Sequence, residues 1–341
     1  MEINHLDLFS GIGGFHKGFE QAGYKVNSYF SEIDKHAIAV YKNQFKKSKY
    51  VGSVTDVRAT NLPNINLITF GSPCQDFSLA GKRKGMEGER SSLILEAIRL
   101  VGECRPNAFI WENVKGAFSS NNGEDFAAIL QAFTNIGGYR LEWQLLNTSW
   151  FLPQNRERIY LVGYSTKPGG NWRCVFPIGE GAKVFNTKER NKGQRKASSK
   201  VTNSIARSLP AHIGYGSEDT FVEVKSATAQ GYEVATKGDS INFSNPNSKT
   251  RRGRVGKGKA QTIDTAANQA VLQPNYRIRR LTPIECERLQ GFPDNHTAFG
   301  EYDGEVKKIS NTQRYKQCGN AVTVNVVQEI AVKIKPLFNA I

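Results

Sequence analysis

No uninterrupted apolar run approaches the 18 or so residues that a membrane-crossing helix needs, so no membrane association is expected of this chain. The amino terminus, Met1-Glu2-Ile3-Asn4-His5, has no basic segment ahead of an apolar stretch, which argues against a secretory signal and for the cytoplasm. Cysteine is sparse: Cys74, Cys104, Cys174, Cys286 and Cys318 are scattered and form no CxxC pair. That pattern argues against both a disulfide framework and a zinc site, so no metal is expected, and any special cysteine would act as a nucleophile. Negative charge is also scarce, 31 Asp and Glu facing 46 Lys and Arg in 341 residues, for a net +15. Such a balance suits a polyanionic partner, although solvated lysines alone could produce it.

The excess is localised. Between Ser165 and Asn275 there are 18 Lys and Arg against 8 Asp and Glu, a net +10, leaving +5 for the other 230 residues. The same stretch is rich in Gly, Ser, Asn and Thr, and its most basic runs are Asn191 to Lys200 and Lys249 to Lys259. It reads as short strands and long loops.

The first half alternates strand and helix. Glu2 to Phe9 predicts a strand, Ser10-Gly11-Ile12-Gly13-Gly14 a turn, and Phe15 to Ala22 a helix. Strands follow at Tyr24 to Ser31, Leu67 to Gly71, Ala108 to Glu112, Arg140 to Leu146 and Ile159 to Tyr164, with helices at Lys35 to Phe45, Ser92 to Cys104 and Phe126 to Ile136. This order predicts an α/β, doubly wound, mainly parallel sheet with ligands bound at the carboxyl ends of the strands. Phe9, Gly11, Glu32, Pro73, Cys74 and Glu112 occupy those positions.

The glycine turn departs from a dinucleotide fingerprint, because His16 stands at the third glycine position counted from Gly11. Glu32, one strand later, could bind two ribose hydroxyls, which suits a nucleoside cofactor without a diphosphate. Cys74 follows a strand and precedes a Gly/Lys/Arg-rich loop, where a thiolate would be favoured; a lone cysteine is more often a small core residue. A zinc deaminase would need a second cysteine where Phe77 stands. Glu112 puts a carboxyl group at the same sheet edge, a place where an acid often serves only as a helix cap. Gln154-Asn155-Arg156-Glu157-Arg158 offers two arginines, one to reach a substrate while the other pairs with the fold.

With these blocks in order, the sequence resembles the DNA (cytosine-5) methyltransferases of bacterial or phage type. The resemblance runs from Asp7-Leu-Phe-Ser-Gly11 through Arg279-Arg-Leu-Thr-Pro-Ile-Glu285-Cys-Glu-Arg288-Leu-Gln-Gly-Phe-Pro293 to Gln317-Cys-Gly-Asn320-Ala-Val322. It implies an S-adenosylmethionine-dependent methyltransferase fold and S-adenosyl-L-methionine as cofactor. Phe9, Gly11, Gly13, Gly14, Glu32, Pro73, Leu93 and Asn320 match the family's cofactor-binding positions. Where the family has an acid against the adenine amino group, this chain reads Gly52-Ser53-Val54-Thr55-Asp56, leaving Ser53 or Asp56 for that contact.

The resemblance further assigns Cys74 as the nucleophile toward carbon 6 of a flipped-out cytosine, Glu112 to N3, Arg158 to the carbonyl oxygen and Arg156 to the active-site surroundings. Gln75, Ser78 and Arg90 match DNA-contacting positions in a catalytic loop. The basic stretch stands where the family places its smaller, strand- and loop-rich target recognition domain, with Arg251, Arg252, Arg254 and Thr262 as DNA-binding candidates. The implied organisation is a catalytic and cofactor-binding domain at 1–164, a recognition domain at 165–275, and late motifs at 276–341 with a returning helix from Val322 to Phe338.

Double-stranded DNA is the implied partner, methylated at a specific short sequence by a nucleoid-associated monomer, with any cognate restriction endonuclease acting separately. Three rivals are weaker. A catalytically silent DNA-binding module would not need all four reactive residue types. RNA cytosine-5 enzymes carry a Thr-Cys pair or a Cys-Phe-Thr signature, both absent here, and a dinucleotide oxidoreductase is opposed by His16.

Overall fold

Strands buried on both faces read as apolar runs rather than as alternation, and the two most apolar segments of the first half form the middle of the sheet. In chain order its strands are β1 (Glu2–Leu8), β2 (Lys25–Ser31), β3 (Lys49–Tyr50), β4 (Leu67–Gly71), β5 (Ala108–Val114), β6 (Tyr139–Asn147) and, after a short β7 (Gln154–Asn155), β8 (Glu157–Ser165). The sheet order is β3-β2-β1-β4-β5-β8-β6. The first five are mutually parallel, while β8 runs antiparallel to both β5 and β6. This is the expected doubly wound, mainly parallel α/β architecture.

This computed structural model describes residues 1–72, 92–166, 174–179, 221–245, 248–275 and 277–338. They divide into two units. The first takes in 1–178, 262–267 and 281–341, and the second 179–261 and 268–280.

Helices cover both faces of the large sheet. On one face α1 (Gly14–Gln21) supplies Phe15 and Phe19, and a late helix supplies Val326, Val327, Ile330 and Ile334, all packed with Leu67, Ile110 and Val162 of the sheet. Between these in sequence come α2 (Lys35–Gln44), α3 (Ser92–Cys104), α4 (Glu124–Asn135), α5 (Pro283–Leu289), α6 (Asn311–Asn320) and the late helix itself, α7 (Val324–Ile334). On the opposite face α3 and α4 bury Ile94, Leu100, Val101, Phe126 and Phe133 against Ile68, Phe70, Phe109 and Trp111. At about 25 cal/mol per Å² of apolar surface removed from water, these two layers dominate the stability of the unit.

The returning helix differs from the expected Val322–Phe338 span. The chain is extended at Ala321 and Thr323, α7 begins at Val324, and Lys335–Phe338 is a tighter 3₁₀ turn. The cause is tertiary: Thr323 is held by its side chain to Thr148 (2.8 Å) and Gln290 (3.0 Å). Among the described residues, no helix is long and apolar enough to cross a membrane.

The second unit has a different construction. Strands β9 (Val222–Lys225) and β10 (Tyr232–Ala235) pair antiparallel. A separate antiparallel sheet follows the order β12-β11-β14-β15, built from β11 (Ser240–Asn242), β12 (Val255–Gly256), β14 (Gln269–Leu272) and β15 (Ile278–Arg280), with a short β13 (Ala260–Gln261) before β14. Among the described residues its core is drawn from Val222, Ala235, Ile241, Ala270 and Leu272.

Candidate active site

Parallel strands deliver their carboxyl ends to one edge, so residues far apart in sequence meet there. A cavity of about 450 Å³ opens at that edge, and Phe9, Gly11, Glu32, Ser53, Leu93, Glu112, Arg156, Arg158 and Asn320 all line it. Phe9 and Gly11 turn the chain away from β1 with positive φ, 50° and 52°, a conformation that is easy for glycine and uncommon for phenylalanine.

Glu32 is fixed by backbone donors. Its Oε2 accepts from the Gly11 N–H at 2.8 Å, and Oε1 accepts from Ile33 at 2.7 Å and Asp34 at 2.9 Å. Asp34 then caps α2, accepting from the His36 and Ala37 N–H groups, and receives Lys316 Nζ at 2.6 Å. The carboxylate is therefore held by three backbone donors and lines the cavity.

Gly13 and Gly14 lie elsewhere. Neither lines the cavity; a Cβ on Gly13 would meet the Phe45 ring at 2.3 Å, and one on Gly14 would meet Val322 at 2.6 Å. Both positions let α1 pack closely, and Gly11 alone of the three faces open space. Of the two candidates near residue 55, Ser53 lines the cavity, whereas Asp56 is exposed in the following turn.

Glu112 and Arg158 are brought together by strand register. Glu112 pairs with Tyr160 across the β5–β8 ladder and Val114 with Arg158, so both side chains leave the same face two residues apart. Arg158 Nε lies 3.2 Å from Glu112 Oε1, and the side chains are only 16% and 11% exposed. Gly71, opposite Glu112 on β4, leaves the space: a Cβ there would come within 3.2 Å of Glu112 Oε2. Arg156 is turned into the fold, its Nη2 donating to the Ala321 carbonyl at 2.9 Å and Nη1 to Gly319 at 3.4 Å. It joins the strand to the Gly319–Ala321 backbone at the cavity wall.

Three residues outside the candidate set complete this corner. The Trp111 indole N–H donates to Ser72 Oγ at 3.1 Å, and Asn113 Nδ2 donates to the Ser72 carbonyl at 3.2 Å. These bonds fix the chain at Ser72, two residues before Cys74. Pro73, Cys74, Gln75, Ser78 and Arg90 lie outside the described residues. None of the four described cysteines lines the cavity; Cys286 and Cys318 are buried, and burial raises the Cys104 pKa to about 11 and pushes that of Cys318 well above the usual thiol value.

A buried polar group spans β1, β4 and α2. Asp7 accepts from the Thr69 hydroxyl at 2.9 Å and the Tyr41 hydroxyl at 3.2 Å, and His5 meets Thr69 at 2.7 Å. Burial raises the Asp7 pKa to about 8, against the lowering effect of those hydrogen bonds, so its neutral form prevails at neutral pH.

The basic candidates separate by burial. Arg252 is exposed, donating from Nε to the Ala227 carbonyl at 2.8 Å, and Arg251 is half-buried. Arg254 is 2% exposed, its guanidinium bound to the carbonyls of Asn242, Ser244 and Asn245. In this structure the side chain organises the Asn242–Asn245 loop from inside. Thr262 belongs to the first unit, where its hydroxyl donates to the Asn155 carbonyl at 2.8 Å.

Comparison with known proteins identifies the family. Residues 3–336 match the family model described as C-5 cytosine-specific DNA methylase. The type II methyltransferase M1.ScrFI of Lactococcus lactis subsp. cremoris is 34% identical over 334 residues, covering 96% of this chain and 77% of that protein. Type II methyltransferase M.Bsp6I of Bacillus sp. (strain RFL6) is 31% identical over 339 residues, covering 96% of each. The S. pombe Dnmt2 methyltransferase shares the fold, with a TM-score of 0.59 at 17% identity over 98% of this chain and 99% of that one.

Proposed function

This chain belongs to the C-5 cytosine-specific DNA methylases and is a DNA cytosine-5 methyltransferase, and from that premise we propose that it takes the methyl group from S-adenosyl-L-methionine and acts on a flipped-out cytosine through a covalent Cys74 adduct. The observation that carries the reading is the single cavity uniting Glu32, Ser53, Leu93 and Asn320 with the Glu112–Arg158 pair.

The cavity suits the cofactor. It joins a backbone-fixed carboxylate, complementary to two ribose hydroxyls, to the Phe9–Gly11 turn and the apolar Leu93 side chain. Glu32 would hold the ribose, Ser53 the adenine edge, and Phe9, Gly11, Pro73, Leu93 and Asn320 the remaining walls. When bound, the cofactor supplies an electrophilic methyl group.

Carbon 5 of cytosine is a weak nucleophile until a thiolate adds at carbon 6. The Cys74 sulfur forms that bond, the ring's C5–C6 π electrons move toward carbon 5, and Glu112 assists by hydrogen bonding or proton transfer at N3. Arg158, 3.2 Å from the Glu112 carboxylate, would also hold the cytosine carbonyl oxygen. Carbon 5 takes the methyl group, a base removes its hydrogen as a proton, and the electrons of that C–H bond restore the double bond as the sulfur leaves. Water is a suitable base.

A cytosine stacked in a duplex cannot present carbon 6 to a thiolate, so flipping precedes addition. Gln75, Ser78 and Arg90 would contact the DNA around the vacated position. The second unit, with Arg251 and Arg252, supplies sequence recognition through groove and phosphate contacts. Thr262 is assigned a supporting DNA contact at the edge of the first unit. The protein acts as a monomer in the cytoplasm at the nucleoid, without a metal, and any cognate endonuclease acts separately.

The test uses S-adenosylmethionine labelled in its methyl group. Label enters duplex DNA in preference to tRNA, and Cys74→Ser removes nearly all turnover. Retained turnover in that variant sinks the nucleophile assignment, and preferential labelling of tRNA sinks the substrate class.

A further inference from the structure

The glycine turn that leads from β1 into α1 needs a hold from outside, because its own residues leave it free to move. Gly11 and Gly13, on either side of Ile12, have positive φ of 52° and 81°, and glycine exchanges such conformations for others at little cost. Within the turn the Gly13 N–H donates to the Ser10 carbonyl at 2.9 Å. The other half of the same peptide group, the Ile12 carbonyl, precedes the helix ladder, which begins with the Lys17 N–H on the Gly13 carbonyl at 2.9 Å.

That carbonyl is met by a histidine 284 residues away. His296 is 3% exposed, and its Nε2 lies 2.9 Å from the Ile12 oxygen. A carbonyl only accepts, so Nε2 carries the hydrogen and the ring is the donor. Burial lowers the His296 pKa to about 4, which keeps the ring neutral at neutral pH.

The rest of the fold holds this ring in place. Its face stacks on Phe292 with centroids 4.4 Å apart, and its backbone carbonyl accepts from Gln44 Nε2 of α2 at 2.6 Å. The residues on both sides, Asn295 and Thr297, donate their N–H groups to the buried Glu287 carboxylate of α5 at 2.8 and 2.9 Å. Glu287 is in turn paired with Arg314 of α6 at 2.9 Å. Ring and backbone are both fixed, and the imidazole ends on the carbonyl one residue past Gly11.

We infer that His296 is a positioning residue for the cofactor: by pinning the Ile12–Gly13 peptide it keeps the Gly11 N–H on Glu32, the carboxylate assigned to the ribose, and keeps Ile12 in the cavity wall. This rests on the cofactor reading above. Without the imidazole donor the peptide is free to rotate between its two glycines, the Gly11–Glu32 bond loosens, and the ribose loses a preorganised partner.

Calorimetric titration of the full chain with S-adenosylhomocysteine reads the effect without turnover. His296→Phe keeps a stacked ring and removes the donor, and it weakens binding about tenfold, the worth of one well-formed hydrogen bond. His296→Gln puts an amide N–H near the position of Nε2 and returns affinity to within about threefold of wild type. Glu32→Gln weakens binding by itself, and adding His296→Phe to it costs less than about threefold more, because the route through Glu32 is already cut. In methyl transfer His296→Phe raises the KM for S-adenosylmethionine and leaves kcat at saturating cofactor within about twofold, whereas a partly unfolded preparation would lower kcat at unchanged KM. Where His296→Phe does not fold, Gln44→Met, which frees the His296 carbonyl and spares the ring, carries the test with a loss of about threefold.

Unchanged affinity in His296→Phe, or in Gln44→Met where that variant carries the test, overturns the positioning role and leaves the cofactor reading standing. So does an equal loss in His296→Phe and His296→Gln, which would make the histidine a matter of shape alone, and so does the full loss repeated on top of Glu32→Gln. A wild-type protein that does not bind S-adenosylhomocysteine overturns the cofactor reading itself, and this inference with it.

Discussion

The two units put their candidate residues in place by opposite means. In the first, residues more than 300 positions apart, from Phe9 to Asn320, meet at one cavity because parallel strands end together. In the second, Arg251, Arg252 and Arg254 are near neighbours in sequence, yet Arg254 is turned inward onto three carbonyls while Arg252 stays at the surface. Topology decides what meets in one unit; loop conformation decides it in the other. Charge counted along a chain therefore overstates the charge available to a partner.

The sharpest way to break the first half of this comparison is Glu112→Gln. If the sheet edge joins a cofactor half to a separate reactive half, the substitution lowers methyl transfer by about 10²- to 10⁴-fold, the usual worth of a positioned acid. Affinity for S-adenosylhomocysteine should stay within about twofold. A matching loss of affinity would show that Glu112 shapes the cofactor half as well.

The second unit is tested by separating its arginines. Arg254→Ala removes a buried guanidinium and leaves three carbonyls to find new partners, a loss of roughly 3 kcal/mol. Arg251→Ala with Arg252→Ala should leave the melting temperature within about a degree, yet reduce the salt dependence of DNA binding by roughly one unit of slope per lost phosphate contact. Urea unfolding and binding titrations over a salt series measure the two effects. Equal stability losses in both variants would erase the distinction between inward and outward arginines.

The smallest effect concerns pH. The Asp7 pKa is near 3.8 in an ordinary setting and is raised to about 8 in the fold, chiefly by burial, with Glu32 adding to the rise and the Thr69 and Tyr41 hydroxyls opposing it. The unfolded chain thus releases this proton first, so the contribution to stability is complete below about pH 4 and is lost as pH climbs through 8. Burial lowers the pKa values of neighbouring His5 and His16, an opposite trend common to wild type and variant. Asp7→Asn should therefore gain on wild type as pH rises from 4 to 8 in denaturant titrations, and a constant difference would contradict a buried, neutral Asp7.

Much of the first unit was legible in the sequence, and the reasons are specific. The apolar runs at Leu67–Gly71 and Ala108–Glu112 mark central strands; Glu32 stands just past the end of β2, and Glu112 stands two residues before the end of β5, which runs on to Val114. The boundary of α7 was not legible, because the Thr323 contacts with Thr148 and Gln290 come from distant segments. Nothing in Arg251-Arg-Gly-Arg254 distinguishes the buried arginine from the exposed ones, since the carbonyls that hold it belong to the Asn242–Asn245 loop. His296 stood outside every recognised block, and only the packed structure shows its ring on the Ile12 carbonyl. The Trp111 and Asn113 bonds to Ser72 likewise depend on the β4–β5 register.

The most direct test of the account is bisulfite sequencing of plasmid DNA from cells expressing this chain or its Cys74→Ser variant. The account predicts protected cytosines confined to one short sequence on duplex DNA, and none with the variant. Protection with no sequence preference, or equal protection by the variant, would contradict it.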